Sequence, residues 1–284
     1  VCWLSGEREK VLAFQTAARR LGVPVYREVY RSVECVAALL QRPHPVAVPS
    51  GESSPTAADR ALTAAGQKLI TGRKGVLDEH LSKKILAAAG ISTVAERVVV
   101  SADQAAEISA ACGFPVVMKG LCPGLVHKSD SGLVKLGITD PQQVAAGFRE
   151  LAAAMEGRGQ VLIQKQLPVD LELMVGLARD PQFGTIVMCG MGGVLAEVID
   201  DTVFATAPVC EAGALAMIDR LKSRRLLDGY RGTAPVDRGA LAAILVQIGR
   251  IGHLLPVIRE IDINPLVVTR GQLVAVDATV VLRG

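Results

Sequence analysis

Aromatic residues are scarce in this chain, at 3% of 284 residues, while half of all residues are hydrophobic. A core must therefore be assembled from Ala, Val, Leu and Ile, without much ring packing. No apolar run reaches the roughly 18 residues that a membrane-spanning helix needs. The six cysteines (Cys2, Cys35, Cys112, Cys122, Cys189, Cys210) form no C-x-x-C pair, which removes the usual zinc and redox motifs. Scattered singly in apolar stretches, they read as small core residues of a reducing compartment. Charge of one sign is also lacking: the net charge is +3 and no basic run stands out, whereas a nucleic-acid partner needs a clustered basic face. Nothing near Val1 reads as a signal peptide. Together these absences predict a cytoplasmic globular protein with no nucleic-acid or membrane partner.

What is present is a succession of short strands and helices. Val1 to Leu4 reads as a strand, Glu7 to Leu21 as a helix ended by Gly22, Val23 to Val25 as a second strand and Arg31 to Gln41 as a second helix. That β-α-β-α order is the tail of an open α/β sheet. Its few elements cannot enclose a core alone, so upstream strands are expected in a longer polypeptide. Pro43 to Thr71, with Pro43, Pro45, Pro49, Gly51 and Pro55, has linker composition. The domain expectation is thus 1–45 as a remnant, 46–72 as linker and 73–284 as the main domain, with lobes at about 73–166 and 167–284.

Within the main domain the pattern is regular. Leu77 to Ala89 reads as a helix, Arg97 to Val100 as a strand, and Ala102 to Cys112 as a helix capped by Ser101. Strands at Phe114 to Lys119 and Leu133 to Ile138, a helix from Pro141 to Met155, and a strand from Gln160 to Lys165 complete a first lobe. Strands follow at Leu171 to Ala178, Thr185 to Cys189 and Val194 to Val198, then helices at Glu211 to Lys222 and Asp237 to Leu254. Val257 to Ile263 and Leu273 to Val276 close the chain as strands around an Arg270-Gly271 turn.

Four segments could carry chemistry. Lys119 ends an apolar strand, where a rigidly held ammonium can meet a polyphosphate; a strand-end lysine reaching solvent is the plain alternative. Gly120 to Gly132 contains three glycines, His127, Lys128 and Asp130, and glycines let backbone amides approach phosphate oxygens. Gly190-Met191-Gly192-Gly193 matches neither a Walker loop nor a dinucleotide fingerprint. A tight turn explains several of its glycines, and a functional role would need Glu197, Asp200 and Asp201. Finally, Glu260, Asp262 and Asn264 alternate along one strand face. A hairpin at Arg270-Gly271 would bring Asn264 near Asp277, giving hard oxygen ligands of the kind Mg²⁺ takes with nucleotide phosphates; an exposed acidic stripe is the alternative.

These segments together resemble the ATP-grasp domain of NDP-forming acyl-CoA synthetases, and more distantly the nucleotide subunit of succinyl-CoA synthetase. The resemblance runs from Leu77-Asp78-Glu79 and Lys83-Lys84-Ile85-Leu86 through Phe114 to Lys119, His127 to Asp130, Glu172 to Gly176 and Asp180 to Gly184. Gly190 to Gly193, Leu226 to Gly232 and Asp262 to Leu266 complete it. It implies a two-lobed ATP-grasp fold of α+β lobes, and it identifies the amino-terminal segment as the tail of a flavodoxin-like CoA-ligase domain. It implies ATP or ADP with Mg²⁺ as cofactors, and upstream CoA-binding and CoA-ligase domains as partners; a homo-oligomer is left open.

The residue roles are implied in the same way. Lys119 contacts phosphates, Gln164, Lys165, Gln166 and Leu167 pass the adenine, and Glu172, Glu197 and Arg231 belong to the nucleotide site. Asn264 and Asp277 hold Mg²⁺, and His127, with Lys128 and Asp130, carries phosphoryl. In one respect the chain departs from the family: Leu133 follows Gly132 where a second glycine is usual. Two other readings share the fold, a carboxylate-amine ligase and a nucleotide-sensing module of a fused protein acetyltransferase.

Overall fold

A computed structural model describes residues 2–3, 7–23, 25–26, 33, 55–122, 132–193, 201–229 and 233–283. The chain divides into two compact units, Val1–Glu52 and Ser53–Gly284. In the first, β1 (Cys2–Trp3) and β2 (Val25–Tyr26) pair in parallel and are joined by α1 (Arg8–Arg20). This is the βαβ order expected from the sequence. The expected helix from Arg31 to Gln41 lies outside the described residues, Val33 excepted.

The second unit begins with a helix, α2 (Ala57–Ile70), inside the stretch expected to be linker. Its sequence is rich in Ala and has few large apolar residues, which hid it. Local chemistry nevertheless starts it cleanly. Thr56 accepts from the Asp59 amide while the Asp59 carboxylate accepts from the Thr56 amide, a reciprocal capping box. Leu62, Gly66 and Ile70 face inward, and α2 packs on α3 (Glu79–Ala88) and on α7 (Arg238–Leu254).

Two antiparallel sheets follow. The smaller has the order β3-β6-β4-β5, from β3 (Glu96–Val99), β4 (Val116–Leu121), β5 (Val134–Ile138) and β6 (Gln160–Lys165). Helices α4 (Ala102–Cys112) and α5 (Pro141–Ala154) pack against it. Ser101 caps α4 as expected, and Asp140 caps α5 ahead of Pro141. The larger sheet has the order β11-β10-β7-β8-β9, with β12 also on β10. Its strands are β7 (Leu171–Asp180), β8 (Gly184–Met191), β9 (Thr202–Thr206), β10 (Ile258–Thr269), β11 (Gln272–Ala275) and β12 (Thr279–Leu282). Helix α6 (Glu211–Asp219) and α7 complete this layer, with a 3₁₀ turn at Arg224–Asp228. The strand expected at Val194 to Val198 lies outside the described residues.

The sheets change over between Lys165 and Leu171, close to the expected lobe boundary, but the helices do not follow chain order. Leu62, Ile70, Leu77, Ile85, Leu86 and Ile91 join the core of the larger sheet. The segment after α2 is stitched there by hydrogen bonds from the Leu77 amide to the Val280 carbonyl, from the Val94 amide to the Ala275 carbonyl and from the Ala275 amide to the Ser92 carbonyl. Residues assigned to the first lobe by sequence order therefore pack against the second.

Arg250 of α7 meets Asp59 of α2 at 2.6 Å. That contact, with the hydrogen bonds from Thr56, holds the Asp59 carboxyl well below the usual carboxylate range. A depressed folded-state pKa contributes stability above the unfolded value, lost as pH falls. Asp59→Asn should lower the urea midpoint at neutral pH. The gap from wild type should shrink as pH drops from about 5 to about 2, in paired denaturation series.

Candidate functional site

The register of the smaller sheet sorts its side chains onto two faces. Glu96 pairs with Gln164, Gln164 with Val117 and Leu162 with Lys119. Since alternate residues share a side, Glu96, Gln164 and Lys119 lie on one face. The other face carries Val99, Val116, Met118, Val161 and Ile163 into the core with α4 and α5. One side of the sheet is thus oily and helix-covered, and the other presents a charge from each of β3 and β4 with an amide between them.

That polar face meets the first turns of α3 and the β11–β12 connection. Lys119 is 4% exposed, so it does not run out to solvent as the plain alternative supposed. Its Nζ donates to Glu79 Oε1 at 2.7 Å, to Asp277 Oδ2 at 3.0 Å and to the Val276 carbonyl at 3.4 Å. Burial works to lower the Lys119 pKa, but the Glu79 and Asp277 carboxylates outweigh it and hold the ammonium above its ordinary value.

A second lysine lies beside it. Lys83, 1% exposed, donates to Glu79 Oε1 at 2.7 Å, to Gln164 Oε1 at 3.1 Å and to the Val276 carbonyl at 3.1 Å, and it is ion-paired with Glu96. Glu96 in turn lies 2.7 Å from Nδ1 of His80. A continuous chain of contacts therefore runs His80–Glu96–Lys83–Glu79–Lys119–Asp277. Sequence reasoning had placed no site role on His80, Glu79, Lys83 or Glu96. A signal was available in Glu79, Ser82, Lys83 and Leu86, which stand at i, i+3, i+4 and i+7, the spacing of a buried helix face.

The carboxy-terminal hairpin has the expected register. Leu266 pairs with Ala275 and Asp262 with Thr279. One common alignment joins these pairs and sets Asn264 opposite Asp277. Ile261 and Ile263 are buried, while Asp262 is half-buried and Glu260 and Asn264 are exposed. Burial, and then the charges of Glu260 and Asp277, push the Asp262 carboxyl up. Asp262 thus sits among like charges, a setting that a cation would relieve. Among the described residues no three His, Cys, Asp or Glu side chains converge as a metal cluster. The donors present, one carboxylate and one amide oxygen, fit a small hard cation that completes its shell with phosphate and water.

The remaining expected residues separate. Gln164 turns into the lysine cluster. Lys165 points the other way, donating to the carbonyls of Gly113 at 2.6 Å and Phe114 at 2.9 Å. Gln166 accepts from the Gly137 amide at 2.7 Å, and Leu167 is half-buried. The Glu172 carboxylate lies over Gly193, where a Cβ would stand 1.7 Å from its Oε2, and Gly193 has φ +61°. A Cβ on Gly192 would approach the Leu173 carbonyl oxygen to 2.6 Å. These two glycines thus permit a close approach of chains, in line with the tight-turn reading.

Asp201, a candidate site acid, is structural instead. It accepts from the Lys222 amide at 2.9 Å and the Ser223 amide at 2.7 Å, and it contacts the Ser223 hydroxyl. Leu133, the departure beside Gly132, is 1% exposed and packs in the small-sheet core, where its carbonyl accepts from the Gly120 amide at 2.8 Å. His127, Lys128, Asp130, Glu197, Asp200 and Arg231 lie outside the described residues.

Two sheets around a buried lysine, with acidic hairpin residues at the meeting point, define a class. A family model described as an ATP-grasp domain matches residues 68–282. The ADP-forming acetate–CoA ligase I subunit beta of Pyrococcus furiosus is 38% identical over 212 residues, covering 72% of this chain and 91% of that subunit. The chain therefore belongs to the ADP-forming acyl-CoA synthetases, in their ATP-grasp part. The ADP-forming acetate–CoA ligase I of Archaeoglobus fulgidus is 31% identical over 298 residues, 99% of this chain but only 42% of that protein. A solved structure of the dinucleotide-forming acetyl-coenzyme A synthetase 1 of Ca. Korarchaeum cryptofilum, in complex with coenzyme A and Ca-AMPCP, aligns at TM-score 0.72 and 37% identity. It covers 77% of this chain and all of that one. Another, with coenzyme A and Mg-AMPPCP and its phosphohistidine segment pointing towards the nucleotide-binding site, aligns at 0.66 and 38% identity, over 80% of this chain and all of that one.

Gln164→Leu should leave the Lys83 ammonium one acceptor short in a dry site. The expected cost is about 1–3 kcal/mol, read from denaturant unfolding. An unchanged midpoint would show that the amide contributes nothing to the cluster.

Proposed function

We propose that this chain is the nucleotide-binding, phosphoryl-transfer part of an ADP-forming acyl-CoA synthetase, in which acyl-CoA, phosphate and ADP exchange reversibly for a carboxylic acid, CoA and ATP. The observation that carries the reading is Lys119, a buried ammonium shared between Glu79 and Asp277 at the meeting of the two sheets. On this reading Lys119 faces the polyphosphate as a fixed positive charge. Asp277 and Asn264 hold Mg²⁺, which when bound neutralises phosphate charge. The segment Gln164, Lys165, Gln166 and Leu167 passes the adenine as the chain leaves the end of β6. Glu172 and Glu197 line the nucleotide, and Arg231 and Lys128 add positive charge.

His127 is the phosphoryl carrier in this scheme. A neutral imidazole nitrogen attacks the γ-phosphorus as the bond to the bridging oxygen breaks, and ADP leaves with that electron pair. The reverse step returns the group to ADP, and Asp130 orients the ring. CoA and acyl recognition would fall to CoA-binding and CoA-ligase domains in the same polypeptide or a partner subunit.

The test is phosphoryl labelling with γ-labelled ATP and Mg²⁺, with the CoA-ligase part supplied in trans. Acid-labile, alkali-stable label is expected on the wild-type chain and absent from His127→Asn and Asp277→Ala. Nucleotide binding without any label would favour a sensing module or a carboxylate ligase over this reading.

A further inference from the structure

Asp277 is asked to do two things. In the structure it is one of two carboxylates on the Lys119 ammonium, at 3.0 Å; on the reading proposed above, which this inference rests on, it is also a metal ligand. A carboxylate oxygen drawn to a divalent cation is withdrawn from its lysine. Lys119, nearly closed to water, would then be left where an unpaired charge is costly, unless another group holds it. Glu79 is that group, at 2.7 Å and itself 1% exposed.

We infer that Glu79 is a positioning residue that anchors the Lys119 ammonium independently of Asp277, leaving Asp277 available to the metal. Three features of the geometry support it. Glu79 stands on α3, whose Ile85 and Leu86 are set in the larger core, while Lys119 stands on the smaller sheet. The anchor is therefore set in a different core from that of β4. Lys83, one turn on along α3, meets the same Glu79 oxygen and also holds Gln164 and the Val276 carbonyl. The residue before Asp277 is thus tied down by the same brace. Asp277, with a side chain 30% exposed, is the more open of the two carboxylates on Lys119, so a metal reaches it first.

The test uses the purified chain and titration calorimetry, with ADP in the presence of Mg²⁺ or of a chelator. The wild-type chain should bind ADP more tightly with Mg²⁺. Glu79→Gln should leave Lys119 to close on Asp277 and reduce that Mg²⁺ advantage by about tenfold, within the range for groups in one ion-pair network, with chelated ADP affinity nearly unchanged. Introducing Glu79→Gln into a Lys119→Met background should change the advantage no further.

A Glu79→Gln chain with the full wild-type advantage would overturn the inference, as would an effect that persists without Lys119. If Glu79→Gln does not fold, Glu79→Asp serves. It keeps the charge but retracts it by one methylene, so it should give an intermediate advantage, and an undiminished one counts against the inference. A wild-type chain that binds no ADP, or binds it equally with and without Mg²⁺, would instead sink the functional reading beneath.

Discussion

One carboxylate oxygen, Oε1 of Glu79, receives two lysine ammonium groups at 2.7 Å each in a place almost closed to water. Charges so buried persist only as a complete set, because removing any member leaves another uncompensated. Much of the architecture can be read as the supply of that set. The smaller sheet keeps one face polar, with Glu96, Gln164 and Lys119 across three strands, and gives its other face to α4 and α5. Helix α3 starts at an Asp78 cap, and Glu79 and Lys83, one turn apart, enter the set together. The β11–β12 connection supplies a carbonyl at Val276 and a carboxylate at Asp277.

The same set lies where the two sheets meet, beside Leu162, which is fully buried on the same face of the smaller sheet. Their hydrophobic cores are separate, one behind each sheet. Between them lie hydrogen-bonded charges, which are directional and suit polar ligands. An interior built from Ala, Val, Leu and Ile suits this division: small aliphatic residues pack each core tightly without rings reaching across the cleft. Where chains must pass closer than a side chain allows, as at Gly192 beside Leu173 and Gly193 beneath Glu172, glycine occupies the position.

Much of this was legible in the sequence, for reasons that differ by element. Helix α4 and strand β6 fall at the expected residues because each has sharp signals, Ser101 as cap in one case and an apolar run ended by Lys165 in the other. The hairpin at Arg270-Gly271 fixed a register, and that register sets Asn264 opposite Asp277. Helix α2 was obscured by its Ala-rich sequence, which has few large apolar residues, inside a proline-rich stretch, and β9 and β12 were not expected. The ion cluster was the largest omission. Glu79 and Lys83 have the look of a solvated i,i+4 pair, and only tertiary packing turns that face inward. Asp201, which a functional role of the glycine-rich run would have needed, instead holds the amides of Lys222 and Ser223.

The charge balance of the cleft argues why nucleotide and metal would arrive together on the proposed reading. Glu79, Glu96 and Asp277 face two ammonium groups, and Asp262 and Glu260 stand nearby on β10. Burial, and then Glu260 and Asp277, push the Asp262 carboxyl up. A polyphosphate entering alone would add several negative charges beside these carboxylates, and Lys119 could not serve it without loosening from them. A divalent cation at Asp277 changes the sign of that encounter, because it draws off a carboxylate oxygen and presents positive charge to the phosphates. Lys119 then stays where Glu79 holds it, and its remaining donor capacity turns to the nucleotide. The buried ion set would in this way serve the empty and the loaded cleft with one exchange of partner at Asp277.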